Sequence, residues 1–105
     1  MVVKWTDFAW TMLSQTADYV LMEFGYKTYD SFMQDVDGAI ASIVANPNLG
    51  IEETFLRGKV QIYRSLLVNK HNKIVYEVHE HDGIIYIVDF WETRRDPQLL
   101  KASHL

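Results

Sequence analysis

Side chains able to do chemistry crowd into the second half of the chain. Arg64, Lys73, Arg94 and Arg95 are cations, and His71 lies just before Lys73 in what reads as a turn. Gathered on one open face of a sheet, Arg64, Lys73 and Arg94 would form a cationic cluster able to hold phosphate. Spread apart, they would be ordinary solvated charge. His71 is the candidate proton carrier, since histidine is the residue type most used to move protons near neutral pH. Trp91 ends the last apolar run, where it would stack on a base or partner, or else close the core. Arg94-Arg95-Asp96-Pro97 would position a phosphate, a carboxylate or a target surface, or else cap a helical turn with Pro97 at its first position. His79-Glu80-His81-Asp82 is dense in metal-capable groups. A catalytic zinc site wants a third protein ligand and an open position. No further His or acid is placed to supply that ligand, so the cluster reads as a polar hairpin end, with no metal and no cofactor expected.

Composition narrows the classes. There is no cysteine, which excludes disulfides, thiolate zinc sites and thiol catalysis. No apolar run approaches the roughly 20 residues of a membrane helix, and the first residues lack the order of a signal peptide. The expectation is a soluble, cytoplasmic protein of one domain, residues 1–105, with no membrane partner. The net charge is −4. Residues 1–56 carry Lys4 and Lys27 against eight acids, a net of −6, and residues 57–105 carry eight cations against six acids, a net of +2. Any polyanion site must therefore lie in the second half, and direct sequence-specific DNA binding is not expected.

The elements that would position these groups can be read from periodicity. Val2–Trp5 reads as a strand, with Thr6 as the N-cap of a helix. Phe8, Met12, Leu13, Ala17, Val20, Leu21 and Phe24 recur at helical spacing, and Gly25 is a natural stop. Tyr29, Phe32, Met33, Val36, Ile40, Ile43 and Val44 mark a second helix, ended by Asn46-Pro47-Asn48-Leu49-Gly50. Trp10, Tyr19, Tyr26 and Tyr29 lie on or beside this helix hairpin, as partner surface or as ordinary packing. Residues 51–61 stay ambiguous, with a turn at Gly58. Tyr63–Asn69, Lys73–Glu80 and Ile84–Trp91 then read as strands, with a hairpin turn at Asp82-Gly83. Alternation sends Ile74, Tyr76 and Val78 toward the helices and Lys73, Val75, Glu77 and His79 to the open face. The expected fold is α+β, in the order β-α-α-β-β-β, with the helix hairpin on one face of a small, mainly antiparallel sheet.

Tyr63-Arg64, Lys73-Ile74-Val75-Tyr76-Glu77-Val78, Ile85-Tyr86-Ile87-Val88 and Arg94-Arg95-Asp96-Pro97, in this order, resemble the RelE/ParE toxin superfamily, also called plasmid-stabilisation toxins. The Asn46–Gly50 break is similar too. The resemblance implies the toxin component of a bacterial type II toxin–antitoxin system, inhibiting growth unless a cognate antitoxin wraps its sheet and helices. RelE-like members cut messenger RNA on the ribosome, and ParE-like members block DNA gyrase. For the ribonuclease branch, the resemblance matches Arg64, Lys73 and Arg94 to charge-stabilising positions. Leu66 stands where a second lysine is expected, and the expected tyrosine falls near Leu100. Cleavage through a 2′-hydroxyl needs a group that takes one proton and gives another. Arginine is a poor base. The reading therefore leans to ParE-like or non-nuclease action, with Arg95 and Trp91 as target or partner contacts. A RelE-like ribonuclease is the alternative, and a degenerate, inactive member acting as a binding partner is the second.

Overall fold

The structure is a computed structural model that describes residues 1–53 and 62–94. Strand β1 is Val2–Trp5, helix α1 Asp7–Phe24, helix α2 Tyr26–Ala45, β2 Ile51–Glu52, β3 Tyr63–Leu67, β4 Asn72–His79 and β5 Ile84–Glu92. The five strands lie in the order β1-β5-β4-β3-β2. β1 runs parallel to β5 and the other pairings are antiparallel.

The predicted caps at Thr6 and Gly25 and the turn at Asp82-Gly83 hold. The Thr6 hydroxyl accepts from the Ala9 amide at 3.1 Å, filling one of the donors that a helix start leaves open. Gly25, at φ +87°, both ends α1 and opens α2. Only a residue without Cβ takes that backbone conformation freely, so the two helices meet with a single residue between them. The Asp82-Gly83 hairpin joins β4 to β5.

Both helices lie on one sheet face. Ala9, Leu13, Ala17, Phe32, Val36, Ala39 and Ile43 bury against Ile74, Tyr76, Ile85, Ile87 and Phe90. Part of the predicted helix stripe does not. Phe8, Leu21, Phe24 and Val44 are exposed, because the buried stripe of α1 is the narrower Ala9–Leu13–Ala17 row and cannot cover a broad apolar arc with one sheet.

β5 does not keep a simple alternation. Val75 pairs with Asp89 while Tyr76 pairs with Ile87, so the register shifts at Val88. This bulge inserts one residue and changes the phase of the rest of the strand. Ile85 and Ile87 face the helices before it, and Phe90 faces them after it. Phe90 meets Phe32 edge to face with ring centroids 5.9 Å apart. Trp91 is thereby turned to the opposite face, where it buries with Val75 and Val88 beside Tyr63 and Tyr86. The face away from the helices thus has a small apolar cluster of its own.

β2 has no counterpart in the expected element order. Two residues offer no alternation to read, and only the pairing of Ile51 with Ser65 and Glu52 with Arg64 makes them a strand. The turn predicted at Gly58 lies outside the described residues.

The α2–β2 connection is held by one phenol. Tyr76 Oη donates to the Pro47 carbonyl at 2.8 Å and accepts from the Gly50 amide at 2.9 Å. A Cβ on Gly50 would stand 2.7 Å from that oxygen and 2.8 Å from the Ser65 carbonyl. Tyr76→Phe leaves two backbone groups without their partner, at an expected cost of about 2 kcal/mol. Gly50→Ala should cost at least as much, because strand backbone cannot move aside. Denaturant unfolding of both variants measures this. Burial pushes the Tyr76 hydroxyl above the usual tyrosine range, against the opposing Gly50 bond and Arg64 charge. Its contribution is therefore complete below the unfolded value near 10 and is lost as pH rises through the higher folded value. The stability gap between wild type and Tyr76→Phe should stay constant to about pH 9 and narrow above about pH 10.

Candidate functional site

Strand register decides where the predicted cations go. Arg64 pairs with Tyr76, and Lys73 pairs with Leu67. Tyr76 faces the helices, so Arg64 shares that face, one step out of phase with Lys73. The expected cluster of Arg64, Lys73 and Arg94 on one open face is corrected: Arg64 and Lys73 lie on opposite sides of the sheet. Each of the three also has a local partner. Arg64 Nη1 donates to the Gly50 carbonyl at 3.0 Å. Lys73 Nζ lies 2.7 Å from Glu53 Oε2. Arg94 Nε lies 2.6 Å from Glu92 Oε1. Leu66, at the expected second-lysine position, packs against the helix-side core.

Glu53 escaped the sequence reading because it lies in the stretch without a clear period. It is only 7% exposed. Its carboxylate takes the Lys73 ammonium and a long 3.4 Å bond from the Ser65 hydroxyl. A buried carboxylate needs such partners, since an unpaired charge away from water is costly. The lysine thus neutralises an internal acid.

Trp91 is 2% exposed. Its expected role as an open stacking platform is corrected, because the bulge turns the indole into the second apolar cluster. Arg95 lies outside the described residues, as does the segment 96–100. His79 Nε2 is 2.9 Å from Glu77 Oε1, and its ring meets Tyr86 edge to face at 4.9 Å. Burial, and secondarily Glu77, raise the Tyr63 hydroxyl above its usual range. Among the described residues no group of three His, Cys, Asp or Glu stands ready for a metal. Among them, too, no helix is long and apolar enough to cross a membrane.

The structure does bring His71 and Arg94 together. Both line a groove of about 650 Å³ between the α1–α2 tip and the sheet end formed by the β3–β4 turn and the end of β5. Its helix side is Tyr19, Val20, Phe24 and Phe32 with Thr28, Ser31 and Asp35; its sheet side is Asn69, His71, Asn72, Glu92 and Arg94. The volume falls in the range of binding clefts. The Asn69 side chain accepts from the His71 and Asn72 amides at 2.8 and 2.9 Å, shaping the turn. The Arg94 bond, aided by the nearby charges of Arg94 and His71, holds the Glu92 carboxyl below the usual range. Tyr19, Met22, Phe24 and Tyr26 are exposed around the hairpin tip. The groove combines an apolar helix wall with a polar sheet wall that includes His71, Glu92 and Arg94.

A five-stranded sheet with one helical layer and a lateral groove defines a small α+β protein. The chain belongs to the ParE toxin family of type II toxin–antitoxin systems, whose sequence profile matches residues 3–97. No curated protein matches it. Among solved structures it is similar to a chain of the chromosomal ParDE toxin–antitoxin system from P. aeruginosa, at 21% identity and a TM-score of 0.68, covering 88% of this chain and 95% of that one. It is also similar to a YoeB/ParE toxin from Agrobacterium tumefaciens, at 15% identity and a TM-score of 0.60, covering 88% and 98%. At these identities the likeness is one of fold.

Lys73→Ala should leave the Glu53 carboxylate buried without its cation, at about 1–3 kcal/mol, discounted because Lys73 is partly exposed. Combining Lys73→Met with Glu53→Gln should recover most of the loss. A double-mutant cycle of urea unfolding reads this directly; additive effects would show that the pair is not coupled.

Proposed function

We propose that the protein inhibits growth when free of its antitoxin by a ParE-like, non-nuclease action, with DNA gyrase as its target, and that it works in the cytoplasm. Family membership supports the toxin role and the cognate antitoxin partner. The observation that carries the mode of action is the opposed placement of Arg64 and Lys73, with Lys73 held by buried Glu53. A nuclease acting through these cations would need them on one phosphate. Here they cannot meet without breaking the strand register. The groove beside the hairpin supplies a surface for the antitoxin segment.

One observation favours a ribosome-dependent ribonuclease: Glu53 places a carboxylate beside Lys73, giving an acid–base pair where the sequence offered none. Each group is taken up by the other, and Glu53 by Ser65 as well, which favours a structural pair.

The two readings separate in one experiment. Expression without antitoxin should arrest growth, purified protein should inhibit gyrase supercoiling, and transcripts mapped after induction should remain intact. Supercoiling that stays normal at excess protein would remove the gyrase reading. Transcripts cut in a ribosome-dependent way, and spared by Glu53→Gln, would establish the ribonuclease instead.

A further inference from the structure

The sheet wall of the groove is held in place by its own bonds. Asn69 Oδ1 accepts from the His71 and Asn72 amides and sets the β3–β4 turn. Thr93 ties that turn to the end of β5. Its amide donates to the His71 carbonyl at 2.8 Å and its hydroxyl to the Lys70 carbonyl at 3.1 Å. His71 and Arg94 thereby line one wall, with Asn72 beside them as the cross-strand neighbour of Glu92. All three bring donors. A guanidinium carries five N–H groups. Among the described residues Arg94 spends only its Nε, on Glu92. An imidazole keeps an N–H in either charge state near neutral pH, and a carboxamide has two.

The chain's own anion shows what this wall attracts. Glu92 Oε1 accepts from Arg94 Nε at 2.6 Å and from the Arg94 amide at 3.2 Å. The Arg94 bond, with the nearby charges of Arg94 and His71, holds the Glu92 carboxyl below its usual range against the opposing effect of burial. Arg94 is 72% exposed, and such surface pairs change partners at small cost. The helix wall adds flat apolar surface. Tyr19 and Phe24 meet edge to face with centroids 6.1 Å apart, and both are mostly exposed. Open ring faces of this kind stack on planar ligands. Asp35, on the same side, can accept from hydroxyl groups. The groove, at about 650 Å³, has room for far more than a bare oxyanion.

We propose that the groove is a nucleotide-binding site. The phosphate replaces the Glu92 carboxylate on Arg94, with His71 and Asn72 donating to its other oxygens. The base stacks on the Tyr19–Phe24 corner, and the sugar hydroxyls meet Asp35. Glu92 is the internal anion that occupies Arg94 until the ligand arrives. Binding is reversible and no bond of the ligand breaks. The inference stands apart from the toxin reading, since it names a small ligand and its test uses neither antitoxin nor target.

The test is calorimetric titration of the full chain at pH 7 with adenosine 5′-monophosphate, adenosine and inorganic phosphate in separate arms. The monophosphate should bind with a Kd of about 1 mM or tighter, and at least about ten-fold more tightly than either part. Arg94→Gln should weaken it by about ten-fold or more and leave the urea midpoint unchanged. Phe24→Ser should reduce the monophosphate to the affinity of inorganic phosphate. Glu92→Gln should tighten binding about three-fold or more, because the competing carboxylate is gone. A monophosphate that does not saturate, or binds no better than inorganic phosphate, would overturn the nucleotide site. Binding that survives Arg94→Gln or Phe24→Ser unchanged would overturn its placement in this groove. Glu92→Gln with equal or weaker binding would overturn the role of Glu92 as the internal anion. Each of these results leaves the toxin reading intact.

Discussion

The Tyr76 hydroxyl is the point on which the two layers depend. Tyr76 sits in the central part of β4, hydrogen-bonded through its strand to both β3 and β5. Its side chain crosses the helix-side core to hold the chain where it leaves α2, at the Pro47 carbonyl and the Gly50 amide. Arg64 takes the Gly50 carbonyl from the neighbouring strand. Tyr76, Arg64 and Gly50 thus fix the path from the helical layer back to the sheet. From Gly50 the chain enters β2 in the one register that brings Glu53 to Lys73 and Ser65. The buried ion pair on the far face is in this sense downstream of a phenol on the near face. Gly50 must be glycine because the phenol and the β3 backbone occupy the space where a Cβ would go.

The same register sorts the cations by purpose. On a strand, residues of opposite parity face opposite ways. Arg64 falls on the side of Tyr76 and becomes part of the linkage through Gly50. Lys73 falls on the side of Val75 and Glu77 and neutralises Glu53. Lys73 is paired with a carboxylate and Arg64 with a neutral carbonyl, and moving either would undo a structural contact. Arg94 escapes this because it lies beyond β5, at the groove. Its exposed pairing with Glu92 is of the kind that exchanges partners at small cost.

Much of the fold could be read from the sequence, since its signals were local. Thr6, Gly25, Asn46-Pro47 and Asp82-Gly83 each act through the backbone within a few residues, and each marked its boundary correctly. The alternation in β4 was also clear, and it assigned Ile74, Tyr76 and Val78 to the helix side. The features that escaped it required knowledge of a second strand. The segment Tyr63-Arg64-Ser65-Leu66-Leu67 has no clean alternation, so the face of Arg64 depends on its pairing with β4. The bulge at Val88 has no sequence mark, yet it decides that Phe90 enters the core and that Trp91 leaves the helix side. Glu53 gave no sign because burial, not residue type or spacing, makes it important.

The helix hairpin shows a competition between burial and recognition. Seven apolar residues of α1 fit helical spacing, but the sheet accepts only the narrow row through Leu13 and Ala17 together with Met12 and Val20. The small side chains Ala9 and Ala17 let α1 approach the sheet closely, and larger groups on either side are pushed out of that contact. Near the tip, where Phe24 is 62% and Tyr26 72% exposed, the helices no longer follow the sheet and the groove opens. Apolar surface of this extent next to polar groove walls is poorly suited to an isolated chain in water. It is well suited to a chain that spends its time bound. The residues that spoil a simple helical stripe therefore have a place in the reading proposed above: one apolar arc serves the core along the length of α1 and, at its exposed end, supplies the surface offered to an antitoxin.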